Sequence, residues 1–79
     1  MQENQIVHEF MKNAFEKVRV ELCKYKGKDL INVRIYFQAD RENDEWKPTR
    51  KGITIDVELI DELKEAIEKA DAELEKRKN

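Results

Sequence analysis

The sequence predicts an α+β fold in which four antiparallel strands precede one long C-terminal helix. Two features support this prediction. Between residues 16 and 38, apolar and polar residues alternate in two runs separated by a short turn, a pattern typical of paired strands. From residue 57 to residue 77, apolar residues recur at helical spacing instead. A chain of 79 residues has the size of a single domain.

The first 15 residues predict a short helix ahead of the sheet. In "QIVHEFMKNAF", residues 5–15, Ile6, Phe10 and Ala14 follow one another at four-residue spacing, with Val7 and Met11 beside them. We therefore expect residues 1–15 to form a helical N-terminal extension and residues 16–79 to form the functional domain.

Residues 16–38 predict a β-hairpin. A turn at residues 25–28, in which Gly27 supplies a positive φ, separates strands at 16–24 and 29–38. Alternation predicts two faces on each strand. In the first strand, one face carries Val18, Val20 and Leu22 and the other Arg19, Glu21 and Cys23; in the second, one face carries Ile31, Val33, Ile35 and Phe37 and the other Leu30, Asn32, Arg34 and Tyr36.

The rest of the sheet is predicted from residues that begin, interrupt or end strands. After a polar loop at 39–45, a third strand begins at Trp46 and is interrupted near Pro48, which cannot donate to a ladder. Gly52 precedes a short fourth strand at 53–56, and Asp56 is a suitable N-cap for a helix over 57–77.

The long helix predicts a homodimer. A helix of about 21 residues is roughly 31 Å long, more than four short strands can cover. A narrow apolar seam at alternating spacings of three and four residues runs along it and is our predicted dimer contact: Ile60, Leu63, Ile67, Ala70 and Leu74.

Composition argues against several classes of function. Cys23 is the only cysteine and His8 the only histidine, which excludes a disulfide framework and disfavours structural zinc. The loop carboxylates Asp40, Glu42 and Asp44 lack the glycine and distal glutamate of an EF-hand. No base and orienting group are evident for Cys23. We expect no enzyme activity, metal or cofactor.

Charge is distributed unevenly along the chain. The formal net charge is −2, yet residues 17–52 hold ten basic and six acidic residues, a net of +4, while the C-terminal helix is acidic. A basic segment is a footprint for polyanions. We also expect no membrane span and no signal peptide, and hence an intracellular protein, nuclear in a eukaryote and cytoplasmic or nucleoid-associated in a bacterium or virus.

Several stretches in order resemble the positive cofactor four family of transcriptional coactivator domains, which bind single-stranded DNA. They are "KGKDLINVRIYF", the acidic loop, "EWKPTRKGITI" and "DVELIDELKEAI", together spanning about residues 16–70. The resemblance implies a curved four-stranded antiparallel sheet and a homodimer that pairs through its helices. It also implies binding of single-stranded DNA with little sequence preference, in transcription, replication or repair.

The resemblance also implies the site residues. Tyr25 and Phe37 match stacking aromatics, and Arg34 matches an arginine that contacts the nucleic acid. The matching basic positions are Lys26, Lys28, Lys47, Arg50 and Lys51. Three residues depart from the family pattern: Phe37 replaces tryptophan, Thr49 replaces glycine, and Cys23 stands at a position that is basic in some members.

One conflict is left open by the residues themselves. Alternation places Arg34 with Tyr36 and sets Phe37 on the other face, whereas the resemblance directs Arg34 and Phe37 to one ligand; a bulge would reconcile them. Tyr36 is then the alternative stacking residue, and Trp46 either packs or stacks. The choice between DNA and RNA is also open. The alternative function is an adaptor that recruits transcription machinery through the acidic helix or loop.

Overall fold

The computed structural model describes residues 4–78 and shows the predicted α+β architecture. The antiparallel sheet has the order β1-β2-β3-β4. It is curved and is followed by a single 3-10 turn and one helix. The elements are β1 (Gln5–Met11), β2 (Glu16–Tyr25), β3 (Lys28–Asp40), β4 (Glu45–Asp56), the 3-10 turn (Val57–Leu59) and α1 (Ile60–Arg77). In this part of the chain, no helix has both the length and the apolar character required to cross a bilayer.

The predicted N-terminal helix is wrong, because residues 5–11 form strand β1. β1 pairs antiparallel with the outer edge of β2, with one irregularity between Ile6 and His8. A short segment of closely spaced apolar residues satisfies helical and extended patterns alike. The free N–H and C=O groups of the β2 edge decide between them, because pairing satisfies the backbone of both strands.

The two strands predicted at 46–51 and 53–56 are one continuous strand, β4. The sheet therefore has four strands, the predicted number: two predicted strands merge into β4, and the unpredicted strand β1 is added. Pro48 does not end β4, because an edge strand tolerates a residue that cannot donate to the ladder. Residues 1–3 of the predicted extension and Asn79 lie outside the described residues.

The C-terminal helix begins later than predicted. Residues 57–59 form a 3-10 turn, and α1 runs from Ile60 to Arg77. Asp56 is the N-cap of the 3-10 turn, but its side chain makes no capping hydrogen bond.

The two faces predicted for β2 and β3 are confirmed by a regular register from Glu16↔Phe37 to Tyr25↔Lys28. The residues that share each face follow from direct cross-strand pairing. The polar face includes Arg19, Glu21, Asn32, Arg34 and Tyr36, and the apolar face includes Val18, Val20, Val33, Ile35 and Ile53.

A single chain has no closed core. Among residues 4–78, no hydrophobic side chain is fully buried. The chain exposes 6710 Å², whereas a compact folded chain of 9.5 kDa exposes about 5,000 Å². Its radius of gyration is 15.2 Å, against about 12 Å for a compact domain of this length. The excess surface comes from an uncovered sheet face and a helix that contacts the strands little.

Candidate nucleic-acid interface

The turn between β2 and β3 presents three of the predicted contact residues. Lys26 and Gly27 occupy its two central positions with φ of 50° and 80°, as a two-residue hairpin of type I′ requires. Tyr25 and Lys28 flank the turn as a cross-strand pair. The Tyr25 side chain is 58% exposed, and the Lys26 ammonium lies 5.3 Å from the centre of its ring. An aromatic surface and cations are thus adjacent at the tip of the hairpin.

Arg34 is held in place by hydrogen bonds to neutral groups. Its Nη1 donates to the carbonyl oxygen of Thr49 at 3.0 Å and its Nη2 to Oδ1 of Asn32 at 3.3 Å. Both acceptors are uncharged, so these hydrogen bonds do not compensate the positive charge of the guanidinium. The side chain is half-buried on the polar face.

A bulge in β4 presents two further basic residues. Arg34 pairs with Gly52 and Tyr36 with Pro48, so residues 49–51 stand opposite the single residue Ile35. Thr49 fixes the bulge: its hydroxyl donates to the Ile35 carbonyl at 2.8 Å and accepts from the Lys51 N–H at 3.1 Å. This arrangement presents Arg50 and Lys51 as exposed side chains, and Lys51 borders the same depression as Arg34.

Phe37 and Lys47 lie on the other side of the sheet from Arg34. They pair directly across β3 and β4, and Phe37 shares the side of Ile35 because the pairing of β3 with β2 is regular. The expected bulge is present, but its extra residues are on β4, so β3 still alternates. Tyr25 and Arg34 therefore lie on one face of the sheet, and Phe37 lies on the opposite face.

The predicted cationic contacts have no carboxylate at ion-pair distance in the described residues, although the charge of Lys51 helps to lower the pKa of Glu16. In the described part of the chain, none of the six forms an ion pair: Lys26, Lys28, Arg34, Lys47, Arg50 and Lys51. Two lysines of the helix differ: Lys69 lies 3.3 Å from Glu65, and Lys76 lies 3.5 Å from Glu73. Unpaired cations concentrated on the sheet are suited to binding an anionic polymer.

The polar face also carries a cluster that the residue patterns did not single out. We call it the Glu9 cluster; it comprises Glu9, Lys17, Arg19, Tyr36 and Trp46. The Glu9 carboxylate pairs with Lys17 at 3.2 Å and accepts a hydrogen bond from Arg19. The Lys17 ammonium lies 4.4 Å from the centre of the Trp46 ring, and the Arg19 guanidinium carbon lies 3.9 Å from that of Tyr36.

Two tethers orient the aromatic rings of the Glu9 cluster. The Tyr36 hydroxyl donates to Glu21 at 2.9 Å, and the Trp46 indole N–H donates to Asp44 at 2.9 Å. Glu21 is 5% exposed. Arg19 covers one face of Tyr36, and Lys17 covers one face of Trp46. Trp46 is therefore half-buried with Lys17 over its ring, and Tyr36 is already stacked on Arg19.

The pKa values in the cluster follow from these contacts. Burial works to raise the pKa of Glu9, but hydrogen bonds and charge from Arg19 and Lys17 outweigh it and hold that pKa below the ordinary value. Burial and the hydrogen bond to Glu21 raise the pKa of the Tyr36 hydroxyl. Glu9 is thus ionised, and Tyr36 is a neutral donor, near pH 7.

Sequence reasoning missed the cluster because Glu9 comes from the misassigned N-terminal strand. Alternation with Val18 was a signal that could have placed Lys17 and Arg19 on the polar face. Arg19 pairs directly with Arg34 on that face. Only the pairing Glu9↔Arg19 shows where their counter-charge lies.

The predicted dimer residues lie along α1. Ile60 and Leu63 are half-buried in the part of α1 that follows the 3-10 turn, whereas Ile67, Ala70 and Leu74 are exposed. In residues 4–78, nothing covers this second half of the seam; Ile67 is 60% exposed.

Solved structures of PC4 homologs have the same architecture. One is a PC4 homolog from Burkholderia pseudomallei, 26% identical, with a TM-score of 0.78 over 87% of this chain and 90% of that chain. Another is a bacteriophage T5 homolog of the eukaryotic transcription coactivator PC4, implicated in recombination-dependent DNA replication. It is 25% identical, with a TM-score of 0.71 over 92% of this chain and 82% of that one. No curated protein sequence matches the chain.

The family model described as Transcriptional Coactivator p15 (PC4) matches residues 12–66, well over half of the chain. That range contains the hairpin turn, Arg34, the β4 bulge and the first turns of α1. The resemblance stated from the sequence is therefore confirmed, and the chain belongs to the PC4 family of transcriptional coactivators.

Proposed function

We propose that the protein is a non-catalytic homodimer that binds single-stranded DNA with little sequence preference. The observation that carries this proposal is the set of unpaired cations around Arg34, the β4 bulge and the hairpin tip, in a chain of the PC4 family.

The ligand class follows from the chemistry of this surface. Binding of a single strand without base readout needs cations along the backbone and flat aromatic surfaces for unstacked bases. Arg34, Arg50 and Lys51 supply charge at and next to the β4 bulge, and Tyr25 supplies an exposed ring beside Lys26. The proposed contact set is that of the family match: Tyr25, Lys26, Lys28, Arg34, Phe37, Lys47, Arg50 and Lys51.

The homodimer is supported by surface that one chain cannot bury. Val18, Val33, Ile35 and Ile53 line an open depression of about 380 Å³, and Lys12, Arg34, Lys51 and Gly52 also border it. The seam of α1 is uncovered beyond Leu63. Exposed apolar area of this extent is typical of chains that fold as obligate dimers. We propose that a second copy pairs with this seam through Ile60, Leu63, Ile67, Ala70 and Leu74.

The cellular role is proposed from the relatives. The family model is that of a transcriptional coactivator, and the phage homolog is implicated in recombination-dependent DNA replication. We propose a role in transcription, or in DNA replication and repair, inside the cell.

A second candidate is an adaptor that recruits transcription machinery. The family's description as a coactivator and the excess of acidic over basic residues in the exposed helix α1 favour it. It would operate on the helix, away from the cations of the sheet, so the two roles are separable by experiment.

Fluorescence anisotropy with labelled oligo-dT tests the proposal. We expect binding to the single strand and weaker binding to duplex DNA of the same length. With three to six phosphate contacts, the log–log salt slope should lie at about −2 to −4.

Equal binding to both DNAs, or none, would refute the proposed preference. A salt-insensitive interaction with a protein partner, without binding to oligo-dT, would favour the adaptor instead.

A further inference from the structure

Lys17 and Arg19 are placed on the proposed DNA-binding surface but are not available on it. Arg19 pairs directly with Arg34 across β2 and β3, so the two guanidinium groups share a face. Two like charges in opposed positions destabilise a sheet unless a counter-charge is present. Glu9 supplies that counter-charge to Arg19, while Arg34 has only neutral partners.

The low exposure of the Lys17 and Arg19 side chains shows that little of either cation is open to a ligand while Glu9 is bound to them. The side chains of Lys17 and Arg19 are 14% and 18% exposed. One carboxylate oxygen of Glu9 contacts both of them. A DNA phosphate offers the same charge and the same kind of oxygen acceptor. Glu9 thus occupies the position that a phosphate would take.

The surroundings leave room for a ligand. An open cavity of about 290 Å³ adjoins Glu9, Lys17 and Trp46, and its other lining residues are Phe10, Met11 and Asp44. Asp44 is engaged by the Trp46 indole N–H. Glu9 comes from β1, an edge strand, so its side chain can leave the cations without disturbing β2 or β3.

We propose that Lys17 and Arg19 form a further phosphate-binding subsite for single-stranded nucleic acid, which the Glu9 carboxylate masks in the free protein. A strand that passes Arg34 reaches Arg19 next and then Lys17 beside Trp46. Its phosphate replaces Glu9 at the two cations. β1 lies outside the range matched by the family model, so the mask belongs to a part of the chain that the family match does not describe.

This inference rests on the proposed function, and its test uses the Glu9→Gln variant. Glutamine keeps a hydrogen-bond acceptor for Arg19 but removes the charge. We expect affinity for oligo-dT at 0.1 M salt to rise between about 5-fold and 25-fold, and the log–log salt slope to steepen by about 0.7 to 1.4, for one or two additional phosphate contacts.

Two further variants isolate the effect. Glu65→Gln removes an equal charge from an exposed Glu–Lys pair in α1 and should leave both quantities nearly unchanged. Glu9→Gln combined with Lys17→Gln should lose most of the gain. An equal gain in Glu65→Gln, or a gain that survives loss of Lys17, would overturn the proposal.

A second measurement uses the wild-type chain and so does not depend on folding of a variant. Carbon-detected NMR follows the titration of the Glu9 carboxyl with and without saturating oligo-dT. Displacement by phosphate should raise the pKa of Glu9 toward the ordinary value, and an unchanged pKa would overturn the proposal. If wild type binds oligo-dT but Glu9→Gln behaves identically, the subsite fails and the proposed function stands; if wild type does not bind, both fail.

Discussion

At the residue scale, Tyr25 combines exposure with a fixed position. The type I′ turn that follows it fixes where the strand ends, and its cross-strand partner Lys28 adds charge beside it. Its ring is covered only in part, by Lys26 at 5.3 Å. Tyr36 and Trp46 differ because Arg19 and Lys17 already occupy one face of each ring.

We expect Tyr25→Ala to weaken binding of oligo-dT by about 1–3 kcal/mol, the usual value of one base stacked on an aromatic side chain. Anisotropy titration at fixed salt measures the change, and circular dichroism verifies the fold. Tyr25→Phe is the matched control: it keeps the ring and should bind as wild type.

A Tyr25→Ala variant with wild-type affinity would remove stacking at the hairpin tip from the mechanism. Phe37→Ala, measured in parallel, shows whether the strand reaches the face opposite Arg34, where the register places Phe37.

At the element scale, the β4 bulge depends on a close approach of two backbones. A Cβ added at Gly52 would lie 2.4 Å from the Val33 carbonyl oxygen and 2.8 Å from Cα of Arg34. Those are backbone atoms, which cannot rotate away as a side chain would. Gly52 thus allows β4 to return to β3 after three unpaired residues, and it keeps Arg34 near Thr49.

Gly52→Ala should therefore lower the free energy of unfolding by about 1–3 kcal/mol, the typical cost of overpacking. Denaturant unfolding monitored by circular dichroism measures it. The neighbouring Lys51→Ala is the control and should change stability by no more than about 0.5 kcal/mol, since Lys51 is exposed. Equal stability of Gly52→Ala and wild type would contradict the role given to Gly52.

At the scale of the whole molecule, the missing core has to be supplied by a second chain. The sheet exposes one apolar face, and the second half of the α1 seam is uncovered, with Ile67 60% exposed. Folding and association should therefore be coupled, so that the unfolding midpoint rises with protein concentration.

Ile67→Glu tests this coupling by placing a charge in the seam. We expect sedimentation analysis to give twice the chain mass of 9.5 kDa for wild type, and a loss of the dimer together with much of the stability for the variant. Ala72→Glu introduces the same residue on the opposite side of α1, since successive residues turn by about 100°, and should remain dimeric. A wild-type chain that is monomeric and stably folded would contradict the proposed dimer.

Particular residues show how far the sequence could be interpreted. Alternation placed Arg34 and Tyr36 on one face and Phe37 on the other, and the regular β2–β3 register confirms it. The combination of "KGK", Arg34 and "WKPTRKG" identified the family, which the family model confirms. The segment at 5–15 failed because its apolar spacing suits a helix and a strand alike, and only the free edge of β2 selects the strand.

The sequence by itself determined the α+β class, the hairpin turn at Gly27, the faces of β2 and β3, and membership of the PC4 family. These depend on local periodicity, turn stereochemistry and ordered motifs, which can be recognised from residues close together in the sequence. Only the tertiary structure decided that β1 joins the sheet, that β4 bulges opposite Ile35, and that Glu9 neutralises Lys17 and Arg19. Each of these arises from pairing between separate strands, where the backbone groups and charges of one strand select the conformation of its neighbour.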